Sequence, residues 1–502
     1  MSEEREANVL FPGWAKSTGQ SQLGLIVGNS EYTWSELHRA VEAHATVIRE
    51  RCRPGERVAV WTDRTPATPI ALLANAIAEV VSVPLNPALG TREREHILGD
   101  ASPRLIVSPD SAHMAERGAI PVETAPSSEA VRPPLPADDA PLLLLYTSGT
   151  TGAPKGAVLS RGNVAANLEG LAAAWQWTAN DIVVHALPLF HVHGLVLGWF
   201  GSVSRGGALH WVPRFDPGAL ARALVRHGDR AVLFAVPTMY HRLIESDDPA
   251  VATGLECARL LVSGSAGLPL RDQARLEALT GRPVIERYGL TETLINCAVR
   301  AGHPTPGRVG PPVDRVELRL VDDQREPTVP SDGQTMGEVA VRGPSVFQGY
   351  LHRPEATAAV LDEHGWFYTG DLATQDPDGA IRIVGRKSTD LIKTGGFKVG
   401  AGEVESALLE HRAVAEAAVV GVADPDLGQR IEAFVVCRGG AQASEDTLRE
   451  HVASLLSPHK RPRRFHFVSN LPRNAMGKVQ KRRLLTEPPA AGTGGPDLSS
   501  EP

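Results

Sequence analysis

The segment 146–156 reads YTSGTTGAPKG and constrains the fold of this chain more than any other stretch. Its glycines let the backbone turn tightly and approach a ligand, and its hydroxyl residues supply donors beside one flexible cation, Lys155. The four apolar residues 142–145 precede it and predict a buried strand. Because nucleotide sites are usually presented from the end of a strand, we expect a polyphosphate-binding loop at a sheet edge.

Two other interpretations of this loop fit the residues less well. A flexible Gly/Ser/Thr linker would not follow an ordered strand or end in Pro154 and Lys155. The P-loop of NTPases has the spacing G-x-x-x-x-G-K-[ST], which Gly149 and Gly152 do not satisfy. Lys155 is also followed by Gly156 rather than by a hydroxyl residue. The sequence therefore predicts a different class of phosphate loop.

Length and charge narrow the class of protein. A chain of 502 residues is too long for one ordinary core, which predicts at least two domains and favours a large enzyme. The formal charge of −7 argues against a nucleic-acid partner, and the four cysteines are too widely spaced for a zinc site. No apolar run is long enough to cross a bilayer and the N-terminus is acidic, so we expect a cytoplasmic protein without a membrane partner.

The order of strand-like and helix-like segments predicts an α/β fold. Apolar strands alternate with helices over residues 23–108 and again after the phosphate loop, which favours αβ layers with a largely parallel sheet. Short strands separated by turns over 316–350 predict a β-rich subdomain. A smaller αβ unit follows the polar segment 385–390. We expect a large N-terminal domain over 1–386, a small C-terminal domain over 387–486 and a disordered tail over 487–502.

Lysine is rare in this chain and unevenly placed. Only eight of its 51 basic residues are lysine, one in the phosphate loop and six in the last 120 residues. Lysine is a compact and flexible point charge, which suits a phosphate or a developing anion. We interpret five lysines as candidates for such contacts, namely Lys155, Lys393, Lys398, Lys460 and Lys478. The other three, Lys16, Lys387 and Lys481, are interpreted as incidental.

Four further motifs accompany the phosphate loop. They are RYGLTET at 287–293, YTGD at 368–371, GRKSTDLIKTGG at 385–396 and RNAMGKVQK at 473–481. In this order and spacing the five segments resemble those of the adenylate-forming acyl-CoA synthetases, a superfamily shared with luciferases and nonribosomal adenylation domains. The resemblance covers about 11–485. It implies the adenylate-forming fold, with a mobile C-terminal domain of α+β type.

The resemblance also implies a reaction in two steps. A carboxylate attacks the α-phosphorus of ATP to give an acyl-adenylate and pyrophosphate, and the thiol of coenzyme A then displaces AMP. Lys155 and the loop amides would neutralise the β- and γ-phosphates together with the cofactor Mg²⁺. Thr291 would bond the α-phosphate, Glu292 would hold the metal, and Lys478 would bridge the attacking carboxylate and the α-phosphate.

The nucleoside would be held by residues of the later motifs. Tyr288 would cover the face of the adenine, while Asp371 and Arg386 would bind the ribose hydroxyls. The predicted ATP and AMP contacts are Thr147, Ser148, Gly149, Thr150, Thr151, Lys155, Ser265, Glu286, Arg287, Tyr288, Gly289, Thr291, Asp371, Arg386 and Lys478.

The resemblance implies that the small domain rotates between the two steps. After rotation, Lys393, Gly395 and Gly396 would line the site of coenzyme A. The pivot of the family normally lies two residues after the arginine of this motif. Because one residue is added here between Arg386 and Asp390, the hinge is either Ser388 or Thr389.

The predicted acyl pocket is unusually polar. It should be built from FHVHG at 190–194, VPTMYHR at 236–242 and SGSAGLP at 263–269. The residues expected to contact the acid are His191, His193, Arg242, Ser263, Gly264 and Ser265. Arginine suits a second carboxylate because it pairs with it through two hydrogen bonds. These segments resemble those of malonyl-CoA synthetases, which implies malonate as the acid and methylmalonate as a close second.

Three other activities are weighed against this one. A synthetase for a short monocarboxylic acid would keep the same chemistry with a different pocket. A stand-alone adenylation enzyme would load a carrier protein instead of coenzyme A. A non-enzymatic relative should have lost Lys155, Glu292 or Lys478, and all three are present. For the quaternary structure we expect a monomer or a weak homodimer.

Overall fold

The computed structural model describes residues 10–17, 20–108, 120–122, 137–147, 153–327, 329–439, 441, 443–473 and 479–486. The predicted tail 487–502 lies outside the described residues. In the part that is described, no helix has both the length and the apolar character needed to cross a bilayer.

The largest sheet has eight strands. They are β1 (Leu23–Val27), β2 (Ser30–Thr33), β8 (Ile182–His185), β9 (Ala208–Trp211), β10 (Ala231–Ala235), β11 (Leu260–Ser263), β12 (Ile285–Leu290) and β13 (Leu294–Ala298). Their order is β13-β12-β11-β10-β8-β9-β1-β2. The strands from β12 to β1 pair in parallel, and an antiparallel strand closes each edge. The carboxyl ends of β8, β10, β11 and β12 therefore meet at one edge, which is where ligands bind in parallel sheets.

A second sheet of six strands carries the phosphate loop. Its strands are β3 (Arg57–Trp61), β4 (Val81–Leu85), β5 (Leu105–Val107), β6 (Pro141–Thr147), β7 (Lys155–Ser160) and β16 (Gly349–Tyr350). Their order is β16-β7-β6-β4-β3-β5. The predicted strand at 142–145 is confirmed as the buried centre of β6. β6 and β7 form an antiparallel hairpin whose connection is the phosphate loop.

Two smaller sheets complete the described fold. The β-rich sheet predicted near 316–350 is confirmed and extends to residue 386, with strands β14 (Glu317–Val321), β15 (Gly337–Arg342), β17 (Phe367–Gln375) and β18 (Ile381–Arg386). The C-terminal sheet contains β19 (Leu391–Thr394), β20 (Phe397–Gly400), β21 (Val414–Asp424), β22 (Gly428–Cys437) and β23 (Arg464–Phe467).

Helices cover the sheets. They are α1 (Pro12–Lys16), α2 (Trp34–Arg51), α3 (Ala67–Ile77), α4 (Thr91–Ala101), α5 (Arg161–Trp175), α6 (Gly201–Arg205), α7 (Pro217–His227), α8 (Pro237–Ile244), α9 (Ala250–Cys257), α10 (Leu270–Thr280), α11 (Pro354–Ala358), α12 (Ala401–Glu410), α13 (Glu445–Leu455) and α14 (Lys481–Thr486). A π-helix spans His193–Phe200, and short 3-10 helices span Gly228–Arg230 and Pro458–Lys460.

Local sequence explains where the long helix α2 begins. The Thr33 side chain accepts a hydrogen bond from the Glu36 amide, and the Glu36 carboxylate accepts one from the Thr33 amide. This reciprocal capping box satisfies two amides that the first turn leaves without partners. Leu37, Val41 and Ile48 then line one buried face of the helix.

The apolar cores follow the predicted division of the chain. One core runs from Leu10 to Ile381 and joins the two larger sheets to the β-rich sheet. A separate core lies within the C-terminal sheet and its helices, around Val404, Ile431 and Val452. The other clusters of buried apolar side chains among the described residues also lie wholly before or wholly after residue 386, which fits the predicted large and small domains, although the boundary itself stays a prediction.

Candidate active site

The two ends of the phosphate loop are firmly held. Thr147 and Lys155 face each other across the hairpin, as the last and first residues of β6 and β7. The Tyr146 hydroxyl donates to Asp100 at 2.8 Å, and a ring nitrogen of His96 lies 2.8 Å from the Pro154 carbonyl. Helix α4 thus supports both sides of the hairpin. Four predicted contacts of this loop lie outside the described residues, namely Ser148, Gly149, Thr150 and Thr151.

Lys155 lies close to the predicted metal-binding carboxylate. Its ammonium group sits 4.9 Å from the centre of the Tyr350 ring. The Tyr350 hydroxyl donates to Glu292 Oε1 at 2.7 Å, and Glu292 is buried. Thr291 precedes Glu292 in the turn between β12 and β13. The structure therefore brings Lys155 of the six-stranded sheet near Glu292 and its neighbour Thr291, which lie in a turn of the eight-stranded sheet. Tyr350, which sequence analysis did not single out, links two of them.

The predicted ribose contacts are paired directly across the β-rich sheet. Asp371 on β17 faces Arg386 on β18, and Arg386 Nε lies 2.8 Å from Asp371 Oδ1. The Tyr288 hydroxyl donates to the other oxygen, Oδ2, at 2.6 Å. The Arg386 guanidinium also donates to the Thr369 carbonyl at 2.8 Å. Three of the predicted nucleoside contacts are thus brought together, while Lys478 lies outside the described residues.

Gly289 is required by the tight hairpin between β12 and β13. A Cβ atom at this position would lie 1.8 Å from the Leu294 carbonyl oxygen, which is far inside van der Waals contact. Leu294 itself has a positive φ of 55°. Close approach of the two backbones, rather than contact with a ligand, is therefore sufficient to explain the glycine of this motif.

The predicted acyl pocket contains several buried polar groups that have no hydrogen-bond partner among the described residues. Neither ring nitrogen of His193 has one, and the same is true of Ser263 Oγ and Arg287 Nε. These residues follow or end neighbouring strands, since Ser263 ends β11 and Arg287 lies on β12 beside it. Buried polar groups are normally satisfied, so a cluster without partners indicates a site for a polar ligand.

Arg287 is the buried cation of this pocket. Burial lowers the pKa of its guanidinium to about 9, and no carboxylate among the described residues pairs with it. A Cβ atom on Gly264 would lie 2.4 Å from Arg287 Cζ, so only glycine leaves room for the guanidinium. Ser265, at a φ of 72°, accepts a long hydrogen bond of 3.5 Å from Arg287. Gly264 and Ser265 both belong to the predicted acyl pocket, while the nucleotide contact predicted for Arg287 stays a prediction.

His193 opens the π-helix, a rare structure that is often found at functional sites. All eight residues of this helix are buried. Burial lowers the pKa of His193 well below its usual range and the pKa of His191 to about 4. Both imidazoles are therefore neutral at pH 7, so positive charge in the pocket must come from arginine.

Arg242, the predicted anchor of the acid, lies on the last turn of α8. It is exposed, and its side chain has no ion pair with any residue that the structure describes. Its guanidinium is therefore free to move toward a bound anion. Ser263 and Gly264 mark the neighbouring strand end, so the predicted pocket segments converge as expected.

Glu286, another predicted nucleotide contact, uses both carboxylate oxygens to support the protein. Oε2 accepts from the Leu268 amide at 2.8 Å and Oε1 from Gln273 Nε2 at 2.6 Å. These bonds fix the loop between β11 and α10, which carries Ser265. Contact between Glu286 and the nucleotide stays a prediction.

Glu286 should make the stability of the large domain depend on pH. Burial raises its pKa to about 7 from 4.5, so the folded state holds a proton that the unfolded state releases. Folding stability should fall by about 1.4 kcal/mol between pH 6 and 8 through this group. Glu286→Gln should remove that fall. All eight tryptophans lie before residue 387, so urea unfolding followed by tryptophan fluorescence reports the large domain alone. Equal pH dependence in both proteins would contradict this assignment.

The donor set near Lys155 fits a magnesium ion bound to a nucleotide. Magnesium in nucleotide enzymes takes one or two carboxylates and completes its shell with phosphate oxygens and water. Glu292 supplies one buried carboxylate with Oε1 bonded to Tyr350. Groups of three or more His, Cys, Asp or Glu side chains suited to a metal do not occur in the described ranges.

The predicted coenzyme A contacts lie on an exposed turn. Gly395 and Gly396 connect β19 to β20 with φ values of 55° and 81°, and Lys393 lies on the exposed side of β19. The predicted hinge residues, Ser388 and Thr389, lie between β18 and β19. Lys387 and Lys481, which we interpreted as incidental, form ion pairs on either side of this segment. Each lysine therefore has a structural partner beside the predicted hinge, and its interpretation as incidental to the chemistry stays a prediction.

Two family models match the chain. The AMP-binding enzyme model matches residues 14–351, and the model of the AMP-binding enzyme C-terminal domain matches residues 403–478. The human mitochondrial malonate–CoA ligase ACSF3 is 39% identical over 376 residues, which cover 68% of this chain and 65% of that protein. The matched stretch spans only 60% to 66% of the length of the first four curated relatives. The mitochondrial malonate–CoA ligase ACSF3 of Xenopus laevis is 32% identical over a stretch that covers 97% of this chain and 93% of that protein.

Solved structures agree with the family assignment. A malonyl-CoA ligase in a ternary product complex with methylmalonyl-CoA and AMP is 47% identical, with a TM-score of 0.70 over 92% of this chain and all of that chain. ATP-bound MatB from Rhodopseudomonas palustris is 33% identical, with a TM-score of 0.87 over 96% of this chain and 99% of its own. The adenylate-forming fold predicted from the motifs is therefore confirmed.

Proposed function

This chain belongs to the AMP-binding enzyme family, and from that premise we propose that it is an ATP-dependent ligase that joins malonate or methylmalonate to coenzyme A. The whole-chain similarity to malonate–CoA ligases supports this reaction class. The single observation that carries the choice of acid is Arg287, a buried guanidinium beside Ser263 and His193. Within the described part of the chain it has no carboxylate partner, and the Ser263 hydroxyl and the His193 ring nitrogens have no hydrogen-bond partner.

A second carboxylate is the ligand that this pocket lacks. A buried charge is costly unless it is paired, so the folded protein holds Arg287 at an energetic disadvantage that a bound anion would relieve. Neutral histidine and serine donors would complete its hydrogen bonds. Arg242, exposed on α8, would close on the same anion from the solvent side. A monocarboxylic acid would leave Arg287 unpaired in the complex.

The residues present account for both steps of the reaction. One carboxylate oxygen of the acid attacks the α-phosphorus of ATP, and pyrophosphate leaves. The coenzyme A thiolate then attacks the carbonyl carbon, and AMP leaves. Lys155 and Thr291 would stabilise the phosphate charge that develops, while Asp371, Arg386 and Tyr288 would hold the nucleoside in place. Glu292 would hold Mg²⁺, which supplies further charge neutralisation at the phosphates. Lys478 would bind the two reacting groups.

The test of this function is pyrophosphate release in the presence of MgATP and coenzyme A. Malonate, methylmalonate, succinate, acetate, butyrate, octanoate and 4-coumarate should be compared at equal concentrations. Activity confined to malonate and methylmalonate would support the proposal. Preference for acetate or butyrate would keep the ligase chemistry and refute the dicarboxylate pocket. Transfer to a carrier protein but not to coenzyme A would favour the adenylation alternative.

We propose Ser388 as the hinge, in preference to Thr389. Lys387 is bound to the large domain, because its amide donates to the Gly370 carbonyl and its ammonium pairs with Glu338 at 3.0 Å. Asp390 is bound to the small domain through Lys481 at 2.7 Å, and its amide and carboxylate also bond to the Arg386 backbone at 2.7 Å across the intervening turn. Thr389 donates from its amide to the Arg386 carbonyl at 3.2 Å, whereas Ser388 has no hydrogen bond with a described residue.

Ser388→Pro should separate the two steps of the reaction. Proline fixes φ and restricts the residue before it, so rotation about residue 388 should be blocked. ATP–pyrophosphate exchange with malonate should stay within about twofold of wild type, while formation of the CoA thioester should fall by about tenfold or more. Ser388→Ala is the matched control and should behave like wild type. A normal rate of thioester formation in Ser388→Pro would place the hinge elsewhere.

A further inference from the structure

We propose that Tyr350 is a positioning residue that holds Glu292 and Lys155 in their working places before MgATP binds. The inference rests on the proposed function, because it assumes that these two residues serve the metal and the phosphates. Tyr350 contacts both, through different parts of one side chain. Its hydroxyl donates to Glu292 at 2.7 Å, and its ring face receives the Lys155 ammonium at 4.9 Å.

The backbone of Tyr350 is fixed to the phosphate-loop hairpin. Strand β16 pairs with β7, so that Tyr350 faces Ala157, two residues after Lys155. The Leu351 amide donates to the Gly156 carbonyl at 2.8 Å, and the Tyr350 amide donates to Thr357 Oγ1 at 2.9 Å. These bonds on both sides of the tyrosine leave its ring little freedom relative to the hairpin.

The segment 347–350, which contains Tyr350, also holds Glu292 in place. The Phe347 amide donates to the Glu292 carbonyl at 2.8 Å, while the Phe347 ring packs edge-on against the Tyr350 ring at 4.9 Å. Both the backbone and the carboxylate of Glu292 are therefore held by residues 347–350. Of the two carboxylate oxygens of Glu292, only Oε1 accepts the Tyr350 hydroxyl. No described residue donates to Oε2, which is left for a cation.

The ring keeps two opposite charges from neutralising each other. Lys155 and Glu292 both contact Tyr350, yet they form no ion pair with each other. If they paired directly, each would have to be released before it could serve a phosphate or a metal. The face of an aromatic ring attracts an ammonium group only modestly, which is enough to orient Lys155 but weak enough for a phosphate to displace. Tyr350 thus positions the Lys155 ammonium and the Glu292 carboxylate while leaving both able to bind a ligand.

Two variants divide the contributions of the hydroxyl and the ring. Tyr350→Phe keeps the ring and removes the donor to Glu292, so it should raise the Mg²⁺ concentration for half-maximal pyrophosphate release by about 10- to 100-fold. Its affinity for ATP without Mg²⁺, measured by calorimetry, should be unchanged. Tyr350→Leu removes both contacts and should weaken ATP binding with and without Mg²⁺.

The matched control is Tyr368→Phe, since the Tyr368 hydroxyl also donates to a carboxylate, Asp362 at 2.9 Å, on the β-rich sheet. It should leave the Mg²⁺ dependence and ATP affinity unchanged. Wild-type Mg²⁺ dependence in Tyr350→Phe would overturn the proposal while leaving malonyl-CoA formation intact. An equal loss of melting temperature in both Tyr350 variants, with unchanged Mg²⁺ dependence, would make Tyr350 a packing residue only. A wild-type protein that releases no pyrophosphate with any acid would refute the proposed function itself.

Discussion

Replacing Arg287 by methionine should lower kcat/KM for malonate by about 10²- to 10³-fold without lowering the folding stability of the large domain. Loss of one partner of a buried charge pair costs about 2–5 kcal/mol in binding. The free protein should not suffer, because burial already disfavours this guanidinium and its Nε has no partner. The measurements are kcat/KM for malonate and the urea midpoint followed by tryptophan fluorescence.

Arg242→Met tests the other arginine that would bind this carboxylate. Arg242 is exposed, so its replacement should change activity toward malonate but should not raise stability. Gly264→Ala offers an independent route to the same pocket, because its Cβ would lie 2.4 Å from Arg287 Cζ. The losses caused by Gly264→Ala and Arg287→Met should not add, since both remove the same guanidinium from its place. Full malonate activity in Arg287→Met would remove Arg287 from the acyl pocket.

Asp371→Ala should lower the rate of ATP–pyrophosphate exchange by about 10²- to 10³-fold, chiefly through a higher KM for ATP. The carboxylate is the shared acceptor of Arg386 and of the buried Tyr288 hydroxyl. Removal of a partner from a buried polar group costs about 1–3 kcal/mol, and loss of the ribose contact adds to it. Stability of the large domain should therefore fall together with ATP affinity.

Tyr288→Phe is the control that separates these two effects. By itself Tyr288→Phe removes the buried donor and leaves the Asp371–Arg386 pair in place. Combined with Asp371→Ala, it removes the hydroxyl that would otherwise be buried without its acceptor. The double variant should therefore regain most of the stability that Asp371→Ala loses. Affinity for ATP should stay low in that double variant. An Asp371→Ala protein with normal KM for ATP would show that the carboxylate serves only the fold.

Much of the site could be predicted from sequence because the motifs are local. The strand before the phosphate loop, the β-rich region and the turn of Gly395 and Gly396 each depend on neighbouring residues, and the structure contains all three. Asp371 and Arg386 were both predicted to bind the ribose. Their direct pairing across β17 and β18 was not predicted, because register between strands depends on residues that are distant in sequence.

The contacts that sequence analysis did not foresee are long-range. Arg287 is the first residue of the RYGLTET motif, yet its side chain lies against Gly264, which directly follows the neighbouring strand β11. Tyr350 belongs to a two-residue strand whose only sequence signal is a short apolar run. Lys481 contacts Asp390, 91 residues away. Positions of this kind become visible only when the topology has brought separate elements together.

The π-helix at His193–Phe200 makes the acyl pocket sensitive to chain length as well as to residue type. Its backbone bonds join residues five apart, so it holds more residues per turn than an α-helix. Deleting one residue after His193 would let the backbone of this segment form the hydrogen bonds of an α-helix. The side chains before the deletion would then turn by about 100° around the helix axis relative to those after it. The His193 side chain would then point out of the pocket, although His193 itself is not replaced. Acid preference in such a protein can thus be altered by a one-codon deletion, which a position-by-position comparison of relatives would overlook.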